Sequence, residues 1–388
     1  MTDLEIATVC PEVPQSTTCG AFAARQVLFI DGRDVSRHTV LSYRVRIGAA
    51  TFRMAGIATV GTEPEFRMRG YARRVLQHSL RWMDTGGYEI AMLFGIPNFY
   101  TKVGFTTCIR ETGYTIATGH AAAAAKADRV RAYRAGDLPQ VRSLHRAANA
   151  TLAATAVRDD DAWRRVTDAV GKNTIVLDRA RGIAGYAAIG GGNWYADMTA
   201  RNNQNKLIVP ELACADWAAA DGLLAELGSR ARGAGKEEIM FLVPPVGPFA
   251  EACFERGGRL FEYITPNGGG MGRIIDLNRF CRRLAPELHR RLQASPLAAE
   301  RIVLPITTDL GGMIIAADSG RLRVEAADLP PRGCIRIPQP VLTKLAFGYD
   351  EPDKLLAREG VRLKAAQRLL LCTIFPRRQP YFWALDRF

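Results

Sequence analysis

Between Thr59 and Leu76 the chain reads T-V-G-T-E-P-E-F-R-M-R-G-Y-A-R-R-V-L, a stretch whose local structure is tightly constrained. An extended run ends in a short basic loop holding Arg67-x-x-Gly70-x-Ala72, and a helix follows at once. Ala72, Val75, Leu76, Leu80 and Met83 form one stripe at 3.6-residue spacing, and Gly86-Gly87 supplies the stop. The N-terminus of this helix points at the loop, where its dipole favours an anion. Small residues at Gly70 and Ala72 let a ligand reach several backbone N–H groups together, as a pyrophosphate requires. Arg67, Arg69, Arg73 and Arg74 add positive charge. Taken alone, R-x-x-G-x-A also suits a solvated basic turn before an ordinary helix.

A second motif, Pro97-Asn98-Phe99-Tyr100-Thr101-Lys102-Val103-Gly104-Phe105, follows one short β-α unit later. In this order and separation the pair resembles the GNAT superfamily of N-acetyltransferases. The resemblance implies that the loop binds the pyrophosphate of acetyl-CoA through Arg67, Met68, Arg69, Gly70, Tyr71, Ala72 and Arg73. It also implies that Tyr100, followed by Gly104 and Phe105, sits near the thioester sulfur. Backbone N–H groups near Val60 and Thr62, at the end of the preceding strand, match positions used for further contacts to that cosubstrate.

The length of 388 residues points to two or three domains, and 48% apolar with 23% charged residues to a globular chain with a sizeable core. No apolar run approaches the ~18 to 20 residues of a membrane span. The start, Met1-Thr2-Asp3-Leu4-Glu5, lacks a secretory pattern, so a cytoplasmic location is expected. Eight scattered cysteines (Cys10, Cys19, Cys108, Cys214, Cys253, Cys281, Cys334, Cys372) and five dispersed histidines (His38, His78, His120, His145, His289) show no metal-ligand spacing; no metal is expected. The net charge of +13 is spread along the chain without a nucleic-acid-binding motif. A basic surface that attracts an anionic cosubstrate accounts for it.

Val40 to Ile47 alternates, Gly48-Ala49-Ala50 turns, and Phe52 to Val60 continues, a β-hairpin leading into the basic loop. Ile90 to Phe94 and Tyr114 to Ala117 read as further strands, and the alanine-rich run ending at Ala127 as a connector. A second unit repeats the order: strands at Thr174 to Asp178 and Gly182 to Ile189, a loop and helix over Glu211 to Gly235, a strand at Ile239 to Val243, and a helix over Pro248 to Gly258. Its loop, Leu212-Ala213-Cys214-Ala215-Asp216, has no arginine/glycine cradle. The third unit opens with an amphipathic helix (Phe280, Leu284, Leu288, Leu292), continues in short strands, and carries Leu342-Thr343-Lys344-Leu345-Ala346-Phe347-Gly348-Tyr349, which resembles sterol carrier protein type-2 domains. The expected fold is mixed α/β and α+β: a catalytic GNAT domain over 1–127, a degenerate GNAT-like domain over 128–280, and a sterol-carrier-like domain over 281–388.

This order of parts resembles the enhanced intracellular survival acetyltransferases. The resemblance implies a homohexamer, direct acetyl transfer to a primary amine of an aminoglycoside or a lysine, and delivery of a terminal carboxylate into the first unit. The chain ends Trp383-Ala384-Leu385-Asp386-Arg387-Phe388, so the α-carboxylate of Phe388 is the matched base and Tyr100 the matched acid. Glu63 is an alternative base. Two departures bear on the acceptor: only about forty residues precede the hairpin, and Arg387 stands where an acidic residue would recruit a polycation, with Asp386 the possible compensation. The competing reading is a non-enzymatic carrier or scaffold with a vestigial first unit.

Overall fold

The computed structural model describes residues 4–9, 20–125, 129–327 and 334–388. The expected first boundary at 127/128, together with Cys10, Cys19, Pro11 and Pro14, lies outside the described residues. The chain opens with β1 (Leu4–Val9), β2 (Ala21–Ile30), β3 (Arg33–Ile47) and β4 (Ala50–Thr62), an antiparallel meander. The expected hairpin is β3 and β4, with Ile47 opposite Ala50 across the Gly48-Ala49 turn. Among the described residues before it there are strands only. α1 (Tyr71–Thr85) buries Val75, Leu76, Ser79 and Met83 and ends at Gly86, as its apolar spacing requires. β5 (Ile90–Gly95) pairs parallel with β4; then come β6 (Thr106–Ile109), β7 (Glu111–Ala117) and the short α2 (Thr118–Ala122).

The next stretch holds β8 (Val130–Ala132), α3 (Leu138–Ala148), β9 (Leu152–Ala156), α4 (Asp160–Val170), β10 (Thr174–Arg179), β11 (Gly182–Ala188) and α5 (Trp194–Asn202). It continues with β12 (Lys206–Val209), β13 (Glu211–Cys214), α6 (Trp217–Gly233), β14 (Glu238–Phe241), α7 (Pro248–Glu255), β15 (Arg259–Tyr263) and β16 (Gly269–Ile274). Pro210, which has no N–H for a ladder, separates β12, on β14, from β13, on β11. Strands cross between these two stretches of chain. β16 lies between β5 and β6 in the first sheet, and β7 lies between β14 and β15 in a second-unit sheet. Both recipients are filled at the same place in the order.

The last stretch comprises α8 (Leu277–Gln293), β17 (Ile302–Thr308), β18 (Gly311–Asp318), β19 (Arg321–Ala327), β20 (Ile335–Arg336), α9 (Gln339–Phe347), α10 (Pro352–Arg358), α11 (Ala365–Ile374) and β21 (Gln379–Pro380). Leu284, Leu288 and Leu292 of α8 share a core with Leu304, Ile306 and Ile315 of its four-stranded sheet. The same core continues into Phe52 and Met54 of β4, where Phe280 stacks on Phe52 at 5.3 Å.

Glu287 fixes this unit to the β3–β4 turn. Its carboxylate, with no exposed side-chain surface, accepts from the Ala49 amide (3.1 Å), Arg290 (2.9 Å) and Arg291 (2.7 Å). Desolvation alone would raise its pKa, but the hydrogen bonds from Arg290, Ala49 and Arg291 outweigh it and hold the group at about 2. A depressed carboxylate stabilises the fold above its unfolded pKa and loses that contribution as pH falls through the folded value. Glu287→Gln is therefore expected to lower stability by about 3 kcal/mol at pH 7. The gap to the parent protein should narrow between about pH 4.5 and 2, measured by thermal unfolding across that range; a pH-independent gap would refute the assignment.

Candidate active site

The site begins where the β4–β5 ladder ends. The two strands pair from Met54 opposite Ile90 to Ile57 opposite Leu93 and no further, so Ala58–Thr62 and Phe94–Gly95 diverge. Past this point β4 remains paired with β3, and β5 with β16, each on its other edge. At the mouth of the gap β4 bulges: Thr59 and Val60 together oppose His38, and Thr59 takes φ 52°. A bulge of this kind bends the strand and re-aims peptide groups beside a site. Val60 and Thr62 thus belong to the part of β4 that β5 has left. The Thr62 carbonyl accepts from Arg67 Nε at 3.1 Å, tying the strand end to the basic loop.

The loop is open. Arg67, Met68, Arg69, Gly70 and Arg73 are exposed, and Met68 and Gly70 hold φ values of 62° and 78°. Gly70 is the N-cap of α1 and offers no side chain to the first-turn amides of Tyr71, Ala72 and Arg73. Those amides are the donors an anion uses at a helix start. The Tyr71 ring lies 6.4 Å from that of Phe66, in the cluster around Leu28. Arg69 lies over the Phe66 ring at 5.5 Å. The arrangement fits a phosphate group carried in from solvent.

Tyr100 and Phe388 meet the gap from opposite faces of the sheet. Successive strand residues point to opposite sides. A Cβ on Gly95 would lie 2.4 Å from the Tyr100 ring, whereas the preceding Phe94 ring packs on Phe388 at 5.6 Å. Tyr100 joins Ile57, Leu93, Val103 and Phe105 on the α1 side. Burial pushes its phenol above the usual value, so it holds its proton at neutral pH. Gly104 closes the short Tyr100–Val103 turn at φ 80°, which is why a glycine stands there.

Phe388 joins Tyr43, Met54, Met92 and Phe382 on the other side, its ring 5.0 Å from Tyr43 and 5.8 Å from Phe382. Gly56 of β4 makes room for it: a Cβ there would lie 2.9 Å from the Phe388 ring. A cavity of about 410 Å³ beside Tyr43, near the β3–β4 turn, is lined by Arg44, Arg53, Arg158 and Arg283, with Asp159 also on its wall; Phe388 and the diverging strand ends lie outside it.

Three residues weighed in the sequence are already engaged by partners. Glu63, the alternative base, is taken by an ion pair with Arg37. Asp386 has no exposed side-chain surface and binds Arg158 at 2.7 Å, so it recruits no polycation. Arg387 lies 3.8 Å over the Tyr195 ring and 4.5 Å over that of Phe94, and pairs with Glu111 at 3.4 Å. Gly56, Tyr43, Phe94 and Arg158 were not marked by sequence reasoning. Only Gly56, a lone glycine inside a strand, carried a signal of close approach.

Residues 16–108 match the family described as acetyltransferase (GNAT) domain. Among curated proteins no sequence matches. A GCN5-related N-acetyltransferase from Anabaena variabilis shares the fold at a TM-score of 0.71 and 16% identity, over 94% of this chain and 89% of that one. A probable N-acyltransferase of unknown function from Enterococcus faecalis gives 0.70 and 15% over the same shares. Eis1 from Mycobacterium abscessus gives 0.66 and 13% over 100% of both chains. These identities establish a shared fold, and the family match lies on the β3–β6 region that builds the gap. Residues 16–108, of mixed α/β fold, match an acetyltransferase (GNAT) domain, and the chain that carries it is an acyltransferase.

Proposed function

We propose that the protein is an acetyl-CoA-dependent N-acetyltransferase that delivers the acetyl group to a primary amine by direct attack. The observation that carries this reading is the β4–β5 gap with a protonated tyrosine on one face and a buried Phe388 on the other. The Arg67–Arg73 loop and the uncapped start of α1 suit the pyrophosphate, and the Val60 and Thr62 amides suit the pantetheine and thioester. Tyr100 donates its proton to the departing thiolate. The α-carboxylate of Phe388 takes a proton from the incoming ammonium, directly or through water. We further read residues 128–280 as a GNAT-like unit without a cosubstrate cradle, residues 281–388 as sterol-carrier-like, and the assembly as a hexamer, which sedimentation analysis tests.

The charges around the acceptor face favour an amine on a neutral or acidic body. Around Phe388 the rings of Tyr43, Phe94 and Phe382 are neutral, Arg387 lies over the Phe94 ring, and Asp386 is already paired. Like charge disfavours a polycation there. A panel of lysine peptides, simple amines and aminoglycosides should therefore show aminoglycosides as the poorest acceptors; an aminoglycoside as the best one refutes this order.

Calorimetric titration with acetyl-CoA should give about one site per chain, and Arg67→Ala with Arg69→Ala should weaken it roughly ten- to hundredfold. Absence of saturable binding would remove the enzyme reading in this form. Tyr100→Phe should reduce kcat by about a hundredfold or more with acetyl-CoA affinity retained. Gly56→Ala, which displaces the Phe388 ring, should cost about tenfold or more in kcat and leave acetyl-CoA affinity within about twofold.

A further inference from the structure

The segment leading to Phe388 is held by both units: Phe382 and Arg387 pack on Tyr43 and Phe94 of the first, and the hydrogen bonds of residues 381–384 go to the second. β21 pairs in parallel with β9, and the Tyr381 amide donates to the Ala153 carbonyl at 2.8 Å. Trp383 donates through Nε1 to Asn149 at 2.7 Å, and Asn193 donates through Nδ2 to the Ala384 carbonyl at 2.7 Å. At Asp386 the contact becomes ionic. Arg158 gives its Nε to Asp386 at 2.7 Å and its two terminal nitrogens to Glu211 at 2.9 and 2.5 Å; Tyr186 donates to the same Glu211 at 3.0 Å. The Arg158 and Asp386 side chains are wholly buried, and Glu211 nearly so. One planar guanidinium thus joins a second-unit strand to the residue two places before Phe388, and its fork fixes direction as well as distance.

Tyr43 completes the connection to the first unit. Its hydroxyl donates to the Asp386 carbonyl at 3.0 Å while its ring packs on Phe388. Arg158 and Tyr43 hold the two sides of one residue, and Phe388 follows from where that residue sits.

We propose that Arg158 and Asp386 are a positioning pair for acyl transfer: through them the second unit, which has no arginine/glycine cradle of its own, sets the place of Phe388 at the gap in the first. This rests on the Phe388 reading above. Arg158 touches no reacting atom and acts through Asp386.

Asp386→Asn tests the pair with the cation still compensated by Glu211, so the fold is retained. Hydrogen exchange of the peptide spanning 381–388 should accelerate about tenfold, while that of β10, β11 and α6 is unchanged. With the same amine panel, release of CoA thiol should fall about tenfold in kcat with acetyl-CoA affinity within about twofold. Combined with Gly56→Ala, the loss should be no larger than that of the worse single variant, because both act through Phe388. Unchanged exchange in the peptide spanning 381–388, or losses that multiply, overturns the proposal. Faster exchange with undiminished turnover overturns it as well; if Gly56→Ala is then also fully active, the fault lies in the Phe388 reading itself.

Discussion

The exchange of β7 for β16 is the constraint on which the rest of this structure depends. Without β16, the far edge of β5 and the near edge of β6 would each present bare peptide groups, a template for unwanted pairing. With it, the first sheet is continuous and the loop between β5 and β6 is held from both ends. Asn98 donates its amide to the Asn267 carbonyl at 2.9 Å, and Thr107 binds the Gly268 carbonyl at 2.8 Å. That loop carries Tyr100, so the side chain proposed as the acid stands on a frame supplied from roughly 160 residues further along the chain. The gap on the opposite edge of β5 persists because that edge alone loses its neighbour beyond Leu93.

Buried charge is concentrated at the seams between units. Arg158 faces two carboxylates between the second unit and the tail, and Glu287 faces three arginines and an amide between α8, the tail and the first hairpin. Desolvating such groups is costly, and only a closely matched geometry repays it. An apolar contact tolerates sliding, whereas a forked guanidinium on a carboxylate does not. Apolar packing therefore supplies cohesion across these interfaces, and the ion pairs specify register.

What the sequence disclosed follows from the range of the interactions involved. The basic loop and the stripe of α1 are local, written in spacings of a few residues, and each lies where the spacing predicts. β16 is different. Its residues Gly269-Gly270-Met271-Gly272 have the composition of a loop and are a strand because β5 and β6 pair with both its edges. β9, Leu-Ala-Ala-Thr-Ala, favours a helix by composition and is a strand against β3 and β21. Arg158 had no local signal at all, since its partners lie 53 and 228 residues away in sequence.

The order of synthesis gives the exchanged strand a further meaning. β5 and β6 leave the ribosome together, but the strand that belongs between them starts at Gly269, roughly 160 residues after Ile109. At ordinary elongation rates that is about 8 to 30 seconds during which the nascent first sheet has an unfilled slot. The immature chain is thus obliged to wait with open strand edges, a state that chaperone binding would protect and in which the loop carrying Tyr100 has not yet found its frame.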